Sequence, residues 1–174
     1  MTDTNYQGIE ARMQAVLFLN GLGLFVLAIL FGWVWFFHLL EAIVVWPLPI
    51  YIEVDIPGDP RAFRMGHMEA ITQGLLLMAL AFGGQFMRLS KKEFGVLMWT
   101  GIITAWFFTV PAMANTFFGT RGLAFGGGPF EASLANDVIF LFGWPPIVAV
   151  HVLFAVAVLG VVRYLRSTKE DVSL

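Results

Sequence analysis

The length of the uncharged apolar stretches limits the fold more than any other feature of this sequence. Residues 13–46 form the first stretch, and its polar interruptions are Gln14, Asn20, His38 and Glu41. A bilayer core is crossed by roughly 20 residues of helix, so this stretch is long enough to span a membrane once. Three comparable stretches follow. We predict four spans, at residues 14–43, 65–87, 95–118 and 138–165.

The composition supports a membrane protein and excludes several other classes. Of the 174 residues, 59% are hydrophobic and 13% are charged, whereas soluble domains have about 45–50% and about 25%. We therefore expect an all-α integral membrane protein with four transmembrane helices, forming a single domain over residues 1–174. The net charge of −2 provides no basic surface for nucleic acid. The absence of cysteine excludes disulfides, thiolate metal sites and covalent haem attachment through Cys-x-x-Cys-His.

The distribution of basic residues predicts the orientation in the membrane. Lys and Arg are enriched in cytoplasmic loops. Three of the ten basic residues fall on one side of the predicted spans, namely Arg61, Arg64 and Arg121. The other seven fall on the opposite side, namely Arg12, Arg88, Lys91, Lys92, Arg163, Arg166 and Lys169. Both termini are therefore predicted to be cytoplasmic. The N-terminus lacks the basic segment of a signal peptide, so we expect the first span to be retained.

His67 is the strongest candidate for a functional residue, because it lies where a charged segment changes into the second apolar stretch. It could simply be a histidine that forms a hydrogen bond at a helix end near the interface. Alternatively it could bind a metal, since neutral imidazole is the commonest metal ligand and the usual proximal ligand of haem. The sequence contains no His-x-x-His spacing, and a single imidazole in apolar surroundings suits haem better than zinc.

The other two histidines have competing interpretations. His38, near the outer end of the first span, could be a second axial haem ligand, but we favour an interfacial histidine beside Trp35 and Trp46. His151 lies within the fourth span. An ionisable residue inside a membrane suggests function, although packing against a polar group of another span is equally consistent with its position.

Polar residues follow His67 within two turns of the same predicted helix. Glu69 and Gln73 are four residues apart and share a helix face. An ionised Glu69 near the membrane interior is costly, so it either contacts Arg64 or Arg61 or lines a polar pocket.

Aromatic and glycine-rich segments supply two further candidates. Trp106, Phe107 and Phe108 could wall a cavity and stabilise a developing cation by cation–π attraction, or they could only pack against neighbouring helices. Arg121, in the glycine-rich loop between the third and fourth spans, could bind a haem propionate through two hydrogen bonds, or it could be an exposed outer-loop charge. The glycines at 126–128 lack the strand–helix setting of a nucleotide-binding loop.

Three segments in a fixed order resemble the styrene oxide isomerase family. They are IPGDP leading through RMGH into the second span, the TRGLAFG loop, and the YLRSTK end of the fourth span. The resemblance extends from about residue 51 to residue 169. It implies a homotrimer in the bacterial inner membrane, with haem b bound near the subunit interface and His67 as the axial ligand.

The resemblance also implies a reaction. In the family, ferric iron acts as a Lewis acid on the oxygen of an apolar epoxide that arrives through the lipid bilayer. The ring opens at the benzylic carbon, a 1,2-hydride shift follows, and an aldehyde is released, so that styrene oxide becomes phenylacetaldehyde. Trp106 matches a tryptophan that the family keeps in its substrate pocket.

Two positions depart from the family pattern. Gln73 stands where the family has an asparagine beside the substrate, and Ala112 stands where it has a tyrosine facing the same pocket. These changes suggest either a larger epoxide substrate or a haem protein that does not isomerise. Three functions follow from the sequence: a haem-dependent epoxide isomerase, a bis-histidine electron-transfer subunit using His67 and His38, and a cofactor-free membrane scaffold.

Overall fold

The protein is built mainly from long helices, as a computed structural model shows. The structure describes the backbone of residues 3–129 and 131–172 and the side chains of residues 10–129 and 131–168. The α-helices within these ranges are α1 (Asp3–Leu40), α2 (Pro60–Gly83), α3 (Lys91–Phe118), α4 (Leu134–Phe142) and α5 (Trp144–Val172). Four helical segments are long and apolar enough to cross a membrane, namely Glu10–Leu40, Pro60–Phe86, Lys91–Phe118 and Leu134–Thr168. The all-α, four-span architecture predicted from the sequence is confirmed to this extent.

Helix α2 begins five residues before the predicted span, because a capping residue precedes it. The side chain of Asp59 accepts hydrogen bonds from the backbone N–H groups of Arg61 and Ala62. Pro60 occupies the first turn. The first N–H groups of a helix have no partner within it, so the N–H that proline lacks costs no helical hydrogen bond. Helix α3 likewise begins at Lys91 instead of residue 95, because Ser90 opens a capping box with the residue three positions later.

A β-hairpin replaces the end of the first predicted span. Helix α1 ends at Leu40 and not at residue 43. Strands β1 (Ala42–Val45) and β2 (Ile50–Glu53) then pair antiparallel. From the sequence, residues 47–62 are expected to be an ordered surface loop in which the alternating piece 51–55 is extended, so only the second strand was anticipated in part. The sequence AIVV is rich in β-branched residues, which fit a strand. A short apolar run of this kind cannot be distinguished from the end of a helix by its periodicity.

The fourth span is interrupted near its start. Helix α4 ends at Phe142, Gly143 follows, and α5 begins at Trp144. Pro145 and Pro146 lie in the first turn of α5, where proline is tolerated. The interruption therefore falls beside the two prolines, and the helical segment Leu134–Thr168 extends beyond the predicted range of 138–165 at both ends.

Close backbone contacts through glycine fix the packing of α2. On the α1 side, Gly21 and Gly74 face each other, and a Cβ atom placed on either would lie 2.9 or 3.1 Å from the carbonyl oxygen of the other. On the α3 side, a Cβ atom on Gly66 would lie 3.0 Å from the Cα of Met113. Small residues allow helices in membranes to approach closely enough for extensive van der Waals contact. Helix α3 also packs against α5.

The start of α1, the α2–α3 turn and the end of α5 lie at the same end of the bundle. The Nε2 atom of Gln14 lies 2.7 Å from the position that a Cβ atom on Gly84 would occupy. At the same end, Arg163 donates to both carboxylate oxygens of Glu93 at 2.9 Å. Because the start of the first helix and the end of the last lie at one end of the bundle, these contacts agree with an even number of membrane crossings.

The glycine-rich loop between α3 and α4 is held by the first turn of α4. Asn136 is fully buried, accepts a hydrogen bond from the Thr120 hydroxyl at 2.6 Å and donates to the Ala124 carbonyl at 2.8 Å. Asp137 accepts from the backbone N–H of Gly126 at 2.7 Å. The loop therefore has a defined shape at the bundle end opposite the Arg163–Glu93 pair.

Two glycines of this loop provide a matched test of its packing. Both have a left-handed backbone, with φ of 62° at Gly119 and 56° at Gly122. A Cβ atom on Gly119 would meet nothing within 4 Å, whereas one on Gly122 would lie 2.5 Å from Ile139 and 2.8 Å from Phe140. We expect Gly119→Ala to lower the free energy of unfolding by about 1–2 kcal/mol. Gly122→Ala should cost roughly a further 1–3 kcal/mol because it overpacks α4. Unfolding of both variants in detergent measures the difference, and equal losses would contradict the packing described.

Candidate cofactor site

The imidazole of His67 is anchored to the backbone of the neighbouring helix. Its Nδ1 atom lies 3.0 Å from the carbonyl oxygen of Ala28 in α1. A carbonyl oxygen can only accept a hydrogen bond, so Nδ1 carries the proton and donates. In the neutral ring the lone pair is then on Nε2. Among the described residues, Nε2 has no hydrogen-bond partner, which is the arrangement typical of a histidine that binds a metal through Nε2.

The ring of His67 occupies a slot on the surface of α1 that exists because Gly32 has no side chain. A Cβ atom placed on Gly32 would lie 2.9 Å from Cε1, 3.1 Å from Nδ1 and 3.9 Å from Nε2 of the ring. Trp35, one turn further along α1, flanks the ring at a centroid distance of 5.8 Å. Ala28, Gly32 and Trp35 thus share the helix face that receives the histidine.

An apolar groove of about 930 Å³ runs along α1 next to this slot. It is lined by Ile29, Gly32, Trp33, Phe36, Phe37, Leu40, Val44, Val45 and Trp46. Gly32 borders both the groove and the slot, so the groove and the imidazole contact the same residue of α1. The volume is in the range of sites for small molecules and cofactors, which are mostly apolar with a few placed polar groups.

The residues around His67 suit a cofactor that needs one protein ligand. No group of three or more metal-binding side chains exists among the residues that the structure describes. A zinc site with three or four protein ligands is therefore not formed by this part of the chain. One imidazole with a free Nε2, beside a broad apolar groove, fits haem, which is commonly held by a single proximal histidine.

His38 lies away from the groove. Its Nδ1 atom is 2.7 Å from the carbonyl oxygen of Ile56, and its ring packs on Phe63 at a centroid distance of 4.7 Å. Six residues separate His38 from Gly32, and six residues advance an α-helix by about one and two-thirds turns, so the two positions face directions about 120° apart. These contacts agree with an interfacial histidine, which was the interpretation favoured from the sequence.

His151 and Arg121 are not part of the groove either. His151 is exposed on α5, and its Nδ1 atom lies 2.6 Å from the Ile147 carbonyl of its own helix. Arg121 is half-buried in the loop that Asn136 holds, and it makes contacts of its own.

Glu69 and Gln73 form a hydrogen-bonded pair within α2. The Nε2 atom of Gln73 donates to the Glu69 carboxylate at 2.9 Å. Glu69 is thus bonded to Gln73, where the sequence suggested either an arginine or a polar pocket. The carbonyl oxygen Oε1 of Gln73 is buried and has no partner among the described residues. A buried acceptor without a partner is costly, so this oxygen is available to a bound molecule.

The structure places His67 and Gln73 on different flanks of α2. They are six residues apart, so their side chains point about 120° apart around the helix. Leu80 lies seven residues after Gln73 and therefore on the same face of α2. Its Cδ1 atom lies 3.3 Å from the position that a Cβ atom on Gly101 in α3 would occupy. Ala112 lies three turns from Gly101 on the same face of α3. Gln73 and Ala112 therefore belong to the α2–α3 flank, whereas His67 belongs to the α1–α2 flank.

Trp106 is fixed by a polar contact inside the bundle. Its indole N–H donates to the Oδ1 atom of Asn20 at 2.9 Å, and Asn20 in turn donates to the Val16 carbonyl at 2.9 Å. Asn20 is not among the site residues predicted from the sequence, although an uncharged polar residue within an apolar span indicates such a contact. One face of the tryptophan borders a small apolar pocket of about 160 Å³, lined by Trp106, Phe107, Val110, Pro111 and Phe142.

A comparison with protein-family models identifies one family. The model described as styrene oxide isomerase matches residues 13–162, which includes His67, Gln73, Trp106, Ala112 and Arg121. No curated protein matches the sequence. The matched region covers far more than half of the chain and most of each of the four apolar helical segments. The chain therefore belongs to the styrene oxide isomerase family.

Proposed function

We propose that the protein is a haem b-dependent membrane isomerase that converts an aryl epoxide, such as styrene oxide, to the corresponding aldehyde. Membership in the family supports an isomerase of this type. The observation that carries the cofactor assignment is the hydrogen bond from His67 Nδ1 to the Ala28 carbonyl, beside the apolar groove. Bound ferric haem would supply a Lewis acid for the epoxide oxygen.

The chain's own residues have defined tasks at such a cofactor. His67 would hold the iron through Nε2. The Ala28 carbonyl holds the ring in one orientation. The aromatic and aliphatic side chains of the groove would cover the apolar faces of a bound porphyrin. By excluding water they also prevent hydrolysis of a reactive carbocation. Arg121 is proposed to bind a propionate.

Gln73, Trp106 and Ala112 are proposed, on the family resemblance, to form the substrate side, although Trp106 and Ala112 point about 120° apart around α3. Because Glu69 holds the amide nitrogen of Gln73, the oxygen of that amide is presented with its partial negative charge. This dipole favours the positive charge that develops at the benzylic carbon, and the face of Trp106 can act in the same way. Ala112 occupies less volume than tyrosine. The pocket should therefore accept a bulkier epoxide than styrene oxide.

The two flanks of α2 support a homo-oligomer with shared sites. Within one chain, His67 and the pair of Gln73 and Ala112 lie on different flanks. Both flanks pack against helices of the same chain, whereas the groove along α1 has exposed apolar side chains such as Trp33 and Phe36. In a ring of identical copies, such a face meets a different surface of the next copy, and the site is proposed to be completed there. The family resemblance favours three copies.

The protein is proposed to reside in the bacterial inner membrane with both termini in the cytoplasm. Arg12, Arg88, Lys91, Lys92, Arg163 and Arg166 lie towards the bundle end marked by the Arg163–Glu93 pair. Lys169 is outside the residues whose side chains are described. A basic excess at one end favours cytoplasmic placement of that end. His67 then lies towards the outer leaflet.

Replacing His67 tests the cofactor assignment. Wild-type protein purified in detergent should show the Soret absorption of five-coordinate ferric haem and should convert styrene oxide or a larger aryl epoxide to its aldehyde. In His67→Ala both properties should be lost, because Nε2 is removed. Free imidazole should restore part of the absorption in His67→Gly, since the cavity left behind can hold the missing ligand.

His38→Ala is the matched control, and it should keep both haem and activity. A fully haem-loaded His67→Ala protein would remove the assignment. A low-spin six-coordinate spectrum that collapses in His38→Ala would favour the electron-transfer subunit. Absence of Soret absorption from wild-type protein, even when haem is supplied during expression, would favour the cofactor-free scaffold.

Mixing two impaired variants tests the shared site. His67→Ala and Gln73→Leu should each lose at least about tenfold in kcat/KM as homo-oligomers, because each removes a group from every site. When both are co-expressed, about a quarter of the sites in randomly mixed cyclic trimers combine an intact His67 with an intact Gln73. Activity of the unfractionated co-expressed protein should recover to about that fraction, and activity of isolated mixed trimers to about a third, because each mixed trimer has one such site among its three.

The control is co-expression of His67→Ala with the double variant His67→Ala/Gln73→Leu. No chain in this mixture carries His67, so it should stay inactive. If the mixture of single variants also stays inactive, the two groups act from the same chain. A fully active Gln73→Leu homo-oligomer would remove Gln73 from the site.

A further inference from the structure

We propose that Gly32 is a positioning residue for the ligand imidazole. The absence of a side chain at Gly32 lets the ring of His67 reach the Ala28 carbonyl, and this contact fixes the proton on Nδ1 and leaves Nε2 unprotonated. The part of the proposal that concerns haem affinity rests on the proposed function. The part that concerns the ring itself does not.

The reason is the geometry of an α-helix. The carbonyl of Ala28 points along the helix axis towards the backbone N–H of Gly32, with which it pairs. A second donor must therefore approach this carbonyl from the side, across the position of residue 32. The approach is narrow, because a Cβ atom on Gly32 would lie 2.9 Å from Cε1 and 3.1 Å from Nδ1 of His67.

The ring has little freedom to move aside. Trp35 packs next to it on the same face of α1. Gly66, the residue before His67, packs closely against Met113 in α3, so α2 cannot easily shift away from α1. A methyl group at position 32 would instead rotate or tilt the imidazole and lengthen its 3.0 Å hydrogen bond.

Loss of this hydrogen bond affects the ligand in two ways. The neutral ring can then carry its proton on either nitrogen, and a proton on Nε2 blocks metal binding. In addition, the hydrogen-bond partners that orient metal-binding histidines typically contribute 10–100-fold to metal affinity. We therefore expect Gly32→Ala to raise the Kd for haem by about 10–100-fold.

The experiment uses the full chain in detergent and has two readouts. The first is the Kd of haem added to haem-free protein, measured from the growth of the Soret absorption. The second is the ¹⁵N chemical shift of the ring nitrogens of His67 in haem-free protein at pH 8, assigned by its loss in His67→Ala. Wild-type protein should show a protonated Nδ1 and an unprotonated Nε2. Gly32→Ala should show a mixture of the two tautomers.

Gly95→Ala is the matched control, because a Cβ atom there meets only the Cε of Met13, at 4.0 Å. It should keep the wild-type Kd and tautomer. A wild-type Kd and an unchanged tautomer in Gly32→Ala would overturn the proposal. So would a wild-type His67 with its proton on Nε2, a result that needs no substitution and remains informative if Gly32→Ala fails to fold. If wild-type protein binds no haem, the proposed function fails, while the tautomer still decides the role of Gly32.

Discussion

The contact between the backbones of α1 and α2 at Gly21 and Gly74 is the constraint on which the rest of the structure depends. Lipid is as apolar as the helix surfaces, so helices in a membrane associate through close packing and not through hydrophobic exclusion. A Cβ atom on either glycine would come within 2.9–3.1 Å of the opposite carbonyl, which leaves no room for another residue. Because the helices are antiparallel, seven residues outward from this point lead to Ala28 and His67. The alignment of α1 with α2 that the Gly21–Gly74 contact fixes therefore places the imidazole of His67 beside the Ala28 carbonyl.

Three polar side chains of the candidate site are placed by partners on the helices themselves. Ala28 holds His67, Asn20 holds Trp106, and Glu69 holds Gln73. An unpaired polar group is costly in an apolar environment, so each pair has a preferred geometry. The same geometry leaves Nε2 of His67 and Oε1 of Gln73 without partners among the described residues. These are the two atoms that the proposed function requires to be available, one for a metal and one for a substrate.

Sequence reasoning predicted the number of long apolar helices but placed their ends less well. The starts of α2 and α3 were placed four or five residues late, because apolar composition was given more weight than the capping signals at Asp59 and Ser90. The β-hairpin was missed for a different reason. The run Ala42–Val45 continues the apolar character of α1, and composition does not reveal where a helix ends in favour of a strand. Neither error moved His67, which lies well inside α2.

The sequence by itself determined that the chain forms membrane-length helices, because long uncharged segments in a bilayer must satisfy their backbone hydrogen bonds internally. It also determined the family, through ordered motifs around His67 and the glycine-rich loop, and it singled out His67. Only the tertiary structure decided that His67 faces Ala28 and Gly32, and that Gln73 and Ala112 belong to the opposite flank of α2. Helical periodicity shows which residues share a face. The helix against which that face packs depends on contacts between distant segments, such as the glycine pair, and a single sequence does not specify them.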